Sequence, residues 1–411
     1  MVNRVVVTGV GCISAVGHSL GAVWAAAVEG RTGIRPITVM DATDYDVHIA
    51  AEISDWDPEQ FMEPRLAKRF DRFTQFAIAA ADQAVADAAL AITEDNCYDV
   101  GVVMGSGIGG MGTWETQHKV LLERGPSRLS PFLVPMLIVD MASGMVSMRL
   151  GAKGPNYTAV SACASSTHCI GDAFEIIKRG TAVAMVAGGT EAGITTTGLG
   201  GFCSAKALST RNEPLLSCRP FDKARDGFVM GEGATAVVLE ELGHAVTRGA
   251  RIYGEVVGFG MTGDAYNMVA PDPTGIPAAR AMQMALREAE LSPADIDYVN
   301  AHAPGTPGGD DMEARALQNI YTRDYTPMVN STKPIHGHQL GATGATEFAL
   351  SLMSMKHGLV TRTVNCDDVD DDLWVDIVRG ENRQARVDVV MSNNFGFGGH
   401  NAVLIARKFD E

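Results

Sequence analysis

One cysteine in the chain stands where covalent chemistry could be done. Cys163 lies in Val160-Ser161-Ala162-Cys163-Ala164-Ser165-Ser166, between two small residues that leave its sulfur approachable. A short extended run, Asn156 to Val160, leads into it, and a helix-like pattern over Ser165 to Arg179 leads out. A cysteine at such a strand-to-helix turn faces unpaired N–H groups and the positive end of a helix dipole. Both lower a thiol pKa from about 8.5 and favour the thiolate, which is the nucleophile. The chemistry implied is acyl transfer through a thioester. The competing reading is an inert, buried, small hydrophobe, as free cysteines often are.

Two of the ten histidines follow strand ends. His302 sits in Val299-Asn-Ala-His-Ala-Pro-Gly-Thr306 and His338 in Ser331-Thr-Lys-Pro-Ile-His-Gly-His-Gln-Leu-Gly-Ala342. In α/β proteins that edge of the sheet is where ligands bind. Beside a thiolate, two neutral imidazoles can donate N–H bonds to an oxyanion or an enolate. Lys333, five residues before His338, could fix the charge state of such a site, with Glu313 and Glu347 holding the lysine in place. A satisfied structural role competes for any single histidine. His336 and His338 invite a metal, but no carboxylate or cysteine stands at ligand spacing nearby, so none is expected.

These residues need a scaffold, and the pattern around them alternates strand and helix. Arg4 to Gly11 reads as a buried strand, Leu20 to Glu29 as a helix, and Phe61 to Leu90 as one long alanine-rich helical stretch. Arg65, Lys68, Arg69 and Arg72 then share a helical face, either simply solvated or a dock for an acidic partner. Val100 to Met104 is a strand followed by Gly105-Ser-Gly-Ile-Gly-Gly110, which matches G-x-G-x-x-G. No helix is expected to start at Gly110, and Glu123 does not end a strand, so close backbone packing with Ile108 facing a cavity is favoured over a dinucleotide site. Met136 to Leu150 reads as a helix. After residue 250 the alternation begins again, with helices near 276–290, 310–320 and 339–357 and strands near 297–301, 327–330, 387–392 and 402–406. Two α/β halves, 1–250 and 251–411, are expected, although no residue-level repeat relates them.

At 411 residues the chain is too long for one ordinary core. Its charge, 33 − 49 = −16, argues against a general nucleic-acid binder. Seven cysteines, at 12, 97, 163, 169, 203, 218 and 366, form no Cys-x-x-Cys pair, which reads as a reducing compartment. There is no secretory leader pattern and no long apolar span, so a soluble cytoplasmic protein without membrane partners is expected.

Four motifs carry a resemblance. They are the Ser161-Ala-Cys163 segment, Arg219-Pro-Phe-Asp-Lys-Ala-Arg-Asp-Gly-Phe-Val-Met-Gly-Glu-Gly-Ala234, Ser331-Thr-Lys333 with Gly337-His-Gln-Leu-Gly341, and Asn394-Phe-Gly-Phe-Gly-Gly399. On these the chain resembles the condensing β-ketoacyl-[acyl-carrier-protein] synthases of the thiolase superfamily. It looks most like the class II elongation enzymes, with class I features near the C-terminus. The resemblance implies a five-layered αβαβα thiolase-like fold, a homodimer, and a Cys-His-His triad of Cys163, His302 and His338 supported by Lys333, Glu313 and Glu347. It implies an oxyanion hole from the N–H groups of Cys163 and Phe397, with Phe397 as a gate on a glycine hinge. Ile108 and Phe202 would line the acyl pocket, and Thr306 would contact the pantetheine arm. Arg65, Lys68, Arg69, Arg128 and Lys206 would dock the acyl carrier protein. The reaction implied is decarboxylative condensation of a malonyl carrier with an acyl thioester on Cys163, which needs no cofactor.

The chain departs from the family pattern at several loops. His302-Ala-Pro-Gly-Thr306 replaces His-Gly-Thr-Ser-Thr, so Pro304 removes one arm contact. Pro334-Ile-His336, Asn394 and His400 also differ. These changes suggest a specialised type II polyketide or polyene ketosynthase as the alternative to fatty acid elongation. A non-catalytic chain-length partner in a heterodimer is a further alternative, which the presence of Cys163 disfavours. A coenzyme A thiolase is disfavoured because no cysteine follows Cys366.

Overall fold

The computed structural model describes residues 2–370 and 372–409. Its centre is an eleven-stranded mixed sheet. The strands are β1 (Val5–Ser14), β2 (Val100–Gly105), β3 (Asn156–Tyr157), β4 (Ala184–Glu191), β5 (Gly233–Glu241), β6 (Gly254–Gly263), β7 (Tyr298–Asn300), β8 (Met328–Asn330), β9 (Asp376–Ile377), β10 (Val389–Gly396) and β11 (His400–Arg407). Across the sheet they run β9-β8-β7-β10-β11-β6-β1-β5-β4-β2-β3.

That order contains one pattern twice. Outward from β1 it reads β1-β5-β4-β2-β3, and outward from β6 it reads β6-β11-β10-β7-β8. In each half the first two pairings are antiparallel and the next two parallel. The halves join edge to edge where Val5–Val7 pairs with Gly254–Val256. The central strands are buried on both faces, as near-continuous Val/Ala/Leu runs require.

Five helices complete the layers: α1 (Arg72–Ala88), α2 (Ser165–Lys178), α3 (Ile276–Glu288), α4 (Pro307–Gln318) and α5 (Thr343–His357). α1 packs on β1 and β5, α3 on β6 and β11, and α2 and α5 pack together between the two halves. The result is the αβαβα layering of a thiolase-like fold. A residue-level repeat that the sequence reading did not find is visible here. A Cβ on Gly9 or Gly11 would collide with the carbonyl oxygens of Ala84 and Ala80 of α1. A Cβ on Gly258 or Gly260 would collide with those of Ala285 and Ala281 of α3. Val7-Thr-Gly-Val-Gly11 and Val256-Val-Gly-Phe-Gly260 are thus the same strand, stripped of side chains where its outer helix touches it.

Three expected elements differ. Phe61 to Leu90 is not one helix: a short turn at Pro64–Ala67 stops, and α1 starts only at Arg72, capped by Asp71. Arg65, Lys68, Arg69 and Arg72 therefore do not share a helical face, and Arg72 instead bonds buried Glu232 at 2.7 Å. The stretch from Met136 to Leu150 is likewise split into Leu133–Leu137 and Met141–Leu150. A helix does start after Gly110, at Met111–Arg124.

Candidate active site

Cys163 sits in a single 3₁₀ turn, Ala162–Ala164, just before α2. Ala162 is forced to φ 52°, a left-handed conformation that costs an L-residue energy. Ser165 holds the turn: its Oγ accepts from Ser161 N–H at 2.9 Å and donates to Ala162 O at 2.7 Å. Gly396 crosses so close that a Cβ there would strike Ser161 O. That crossing brings the backbone N–H of Phe397 to the sulfur, beside the N–H of Cys163 itself. The sulfur is enclosed, and burial pushes the thiol up to about 12 against the pull of Lys333 and these N–H groups. The expected lowering is thus corrected, because desolvation of a thiolate outweighs the turn's donors.

The resting pair is therefore a thiol beside a neutral imidazole. His338 Nε2 lies 3.0 Å from Cys163 Sγ, and its Nδ1 lies 3.0 Å from Thr343 Oγ1. The loop carrying His338 is fixed by backbone bonds to Val229 and Gly231. The His302 ring stands edge-on to His338, with ring centres 5.3 Å apart. The sulfur and a nitrogen of each ring lie within 4.8 Å of one another. Burial first, and the Lys333 charge second, hold both imidazoles well below 6.5, so both are neutral donors or acceptors at neutral pH.

Lys333 is fully buried and donates to the carbonyl of His302 and, at 2.5 Å, to Glu347 Oε1. Glu313 does not hold the lysine as expected. It accepts from the backbone N–H groups of His302 and Ala303 and from Asn393, so it positions the His302 loop instead. Asn394 donates to Glu347 and pairs with Thr167 of α2, which ties the second half's buried charges to the first half's helix. Burial pushes Glu313 and Glu347 up to about 7. Thr343, Asn393 and Asn394 were not expected in these roles; nothing in their spacing marks them.

A cleft of about 250 Å³ opens from the triad to the surface. Cys163, His302, His338, Phe202, Phe397 and Thr306 are among its walls. Phe397 and Phe202 face each other across it, ring centres 6.3 Å apart. Thr306 Oγ1 caps α4 by accepting from Gly309 N–H, which leaves its O–H free to donate into the cleft. Pro304, buried beside it, adds only carbon. Ile108 does not line this cleft. It packs in the apolar cluster that contains Cys163, Phe202, Met230 and Leu340, and its other side faces a separate depression with Trp114 and Leu137. His336 does not enter the cleft either; Thr332 Oγ1 and Gly337 O satisfy it. Lys206 stands at the cleft rim, exposed, as are Arg65, Lys68 and Arg128. Arg69 is half-buried over the Phe132 ring.

The glycine-rich loop is not vacant. Its Gly107 and Ile108 N–H groups and the Ser106 hydroxyl donate to the buried carboxyl group of Glu191, which takes up the donors a bound phosphate would use; burial pushes this group up and the hydrogen bonds oppose that shift.

Two α/β halves of one topology, meeting at a cysteine and two histidines, define a thiolase-like acyl-transfer protein. Residues 2–245 match the N-terminal domain model of the β-ketoacyl synthases, and residues 253–367 match the C-terminal one. A Synechocystis relative named 3-oxoacyl-[acyl-carrier-protein] synthase 2 is 48% identical over 99% of this chain and 98% of its own. The crystal structure of a β-ketoacyl synthase from Burkholderia phymatum superposes with a TM-score of 0.92 at 36% identity, covering 99% of this chain and 100% of that one. The ishigamide ketosynthase/chain length factor superposes with a TM-score of 0.93 at 31% identity, covering 100% of each chain. The chain belongs to the β-ketoacyl synthase family of acyltransferases.

Proposed function

We propose that the chain is a 3-oxoacyl-[acyl-carrier-protein] synthase that extends an acyl chain by two carbons in fatty acid biosynthesis. The observation that carries the reading is Cys163 Sγ at 3.0 Å from His338 Nε2, with His302 beside them at the foot of an open cleft. The thiol gives its proton to His338 as the sulfur attacks the acyl thioester of a carrier protein. The oxyanion is held by the N–H groups of Cys163 and Phe397. The proton passes to the departing pantetheine thiolate, which leaves Cys163 acylated. A malonyl carrier then enters and loses CO2, and His302 and His338 donate to the enolate oxygen. The enolate carbon attacks the acyl-Cys163 carbonyl and expels the Cys163 thiolate, which takes one proton from solvent. Burial and the Lys333 charge keep the histidines neutral, Glu347 holds Lys333, and Glu313 holds the His302 loop. Phe202 bounds the acyl chain in the cleft, Ile108 closes the apolar cluster next to Cys163 into which a longer chain would press, and Thr306 contacts the pantetheine arm.

The partner in this reading is an acidic acyl carrier protein docked on Arg65, Lys68, Arg69, Arg128 and Lys206. The relatives' printed name and the exposure of all but Arg69 support it. The working unit is a homodimer in the cytoplasm. A terminal strand, β3, and exposed Tyr157, Val160, Met148 and Val134 support the dimer. No helix among the described residues is long and apolar enough to cross a membrane, and all seven cysteines are free. The halves 1–250 and 251–411 supply the nucleophile and the histidines respectively.

Intact-protein mass spectrometry with acyl carriers of graded length and unsaturation tests the reading. An acyl adduct in the wild type that is absent in Cys163→Ala, and an elongated 3-keto product once malonyl carrier is added, are expected. Absence of any adduct defeats it. A specialised ketosynthase with the same chemistry, working beside a chain-length partner, is the second reading. Pro304 in the arm site and the likeness to the ishigamide protein favour it. Loading only by unusual polyunsaturated or polyketide chains would select it.

A further inference from the structure

Two segments far apart in sequence, 106–108 and the loop at Gly341, converge on one buried carboxylate. Glu191, at the end of β4, has no exposed surface. Its Oε1 accepts from Ser106 Oγ at 2.8 Å and from Ile108 N–H at 3.2 Å. Its Oε2 accepts from Gly107 N–H at 2.7 Å and from Gly341 N–H at 3.0 Å. Ser106 in turn accepts from Gly109 N–H at 3.1 Å. Four donors on two oxygens use the full acceptor capacity of an ionised carboxylate, which a neutral acid lacks. Space is equally committed: a Cβ on Gly341 would strike Gly107 N, and one on Gly107 would meet both Glu191 and Ala162. Ile108 packs on one side of this junction in the apolar cluster with Cys163. Gly341 lies three residues past His338 and two before Thr343, which bonds the His338 ring.

We propose that Glu191 is a positioning residue that locks the acyl-pocket loop carrying Ile108 to the loop carrying His338, so that acyl-chain fit and histidine placement are set together. Behind burial, and against the pull of Lys333, a negative charge on Glu191 adds to the upward shift of the Cys163 thiol. The inference deepens the synthase reading and rests on it for the turnover measurements alone.

The test compares Glu191→Gln, Ser106→Ala and wild type. Glu191→Gln keeps the shape but turns one oxygen into a donor facing two donors. A fall in kcat of about 10- to 100-fold is expected, as displaced catalytic groups give. The pH profile of Cys163 alkylation by iodoacetamide should move to lower pH, which a merely structural role would not produce. Ser106→Ala removes one of the three donors on the acyl-pocket side and leaves the Gly341 bond in place. It should broaden the acyl-length profile in KM and leave malonyl-carrier decarboxylation within about twofold of wild type, a small change on the kinetic scale. If Glu191→Gln does not fold, the Ser106→Ala split alone decides. Unchanged length preference in Ser106→Ala, or a folded Glu191→Gln with wild-type kcat and alkylation profile, overturns the proposal. The alkylation arm uses no carrier protein. A wild type that loads no acyl group would therefore defeat the synthase reading and leave this one to be judged separately.

Discussion

At the scale of single residues, the site works by holding ionisable groups in neutral states. Burial lowers His302 and His338 first and the Lys333 charge second, and Glu347 holds that lysine at 2.5 Å. An imidazole whose pKa is lowered stays neutral to correspondingly lower pH. The acid limb of malonyl-carrier decarboxylation should therefore lie well below pH 6.5. Lys333→Met removes one lowering cause, so the limb should move up toward 6.5, as a pH series of kcat would record. The same variant strands Glu347 in a dry site, and a stability loss of about 3–5 kcal/mol in urea titration is expected. A limb that stays in place would assign both low pKa values to burial alone. The neighbourhood of Cys163, His302, His338 and Lys333 was legible in the sequence from the motifs that carry the family resemblance, with His302 two residues past the end of β7 and Lys333 three past β8. The direction of the Cys163 shift was not, because the sequence displays the turn's donors but not the enclosure that outweighs them. Glu313 was misassigned for a related reason: its partners are backbone N–H groups, which no side-chain pattern announces.

At the scale of elements, placement depends on how closely strands approach their outer helices. β1 and β6 meet α1 and α3 through Gly9/Gly11 and Gly258/Gly260, where a Cβ would enter the carbonyl shell of the helix. Gly11→Ala and Gly260→Ala should each destabilise by about 3 kcal/mol, at the upper end for overpacking, because backbone rather than a side chain must yield. Equilibrium denaturation of both checks this. A large effect in one half only would contradict the equivalence of the two contacts. Strand and helix alternation was readable from hydrophobic runs, and so was the general position of the Cys163 helix. The duplication was not readable as a repeat. What the halves share is a strand order and a pair of glycines, and two glycines in a ten-residue strand are too little to stand out. The supposed single helix from Phe61 to Leu90 failed at Asp71, whose buried carboxylate caps α1 and takes Thr113 as well. Hydrophobic periodicity alone ran across that break.

At the scale of the whole molecule, the two proposed partners, a second copy and an acidic carrier protein, call on different surfaces. Exposed Tyr157 lies on β3, Val160 three residues beyond it and Met148 on the helix that packs against it, and the β3 edge is open to another strand. Light scattering should give twice the 43.5 kDa chain mass. Val160→Asp should give the single mass with turnover reduced, whereas a monomeric wild type would remove the dimer reading. The second partner is carried by charge. A chain of net charge −16 repels an acidic protein at long range, so productive encounter must depend on a local exception. Arg65, Lys68 and Arg128 are exposed, and Lys206 stands at the cleft rim. Such rim charges act mainly on encounter and its salt dependence. Lys206→Glu and Lys68→Glu should therefore each raise KM for the acyl carrier about 3- to 10-fold. Neither should change kcat or Cys163 alkylation, and raising ionic strength should weaken wild-type binding and narrow the gap between variant and wild type. If KM proves insensitive both to salt and to these reversals, the carrier docks through the apolar surface near the cleft mouth, where Met268 and Val269 are exposed, and the basic residues are an ordinary solvated face.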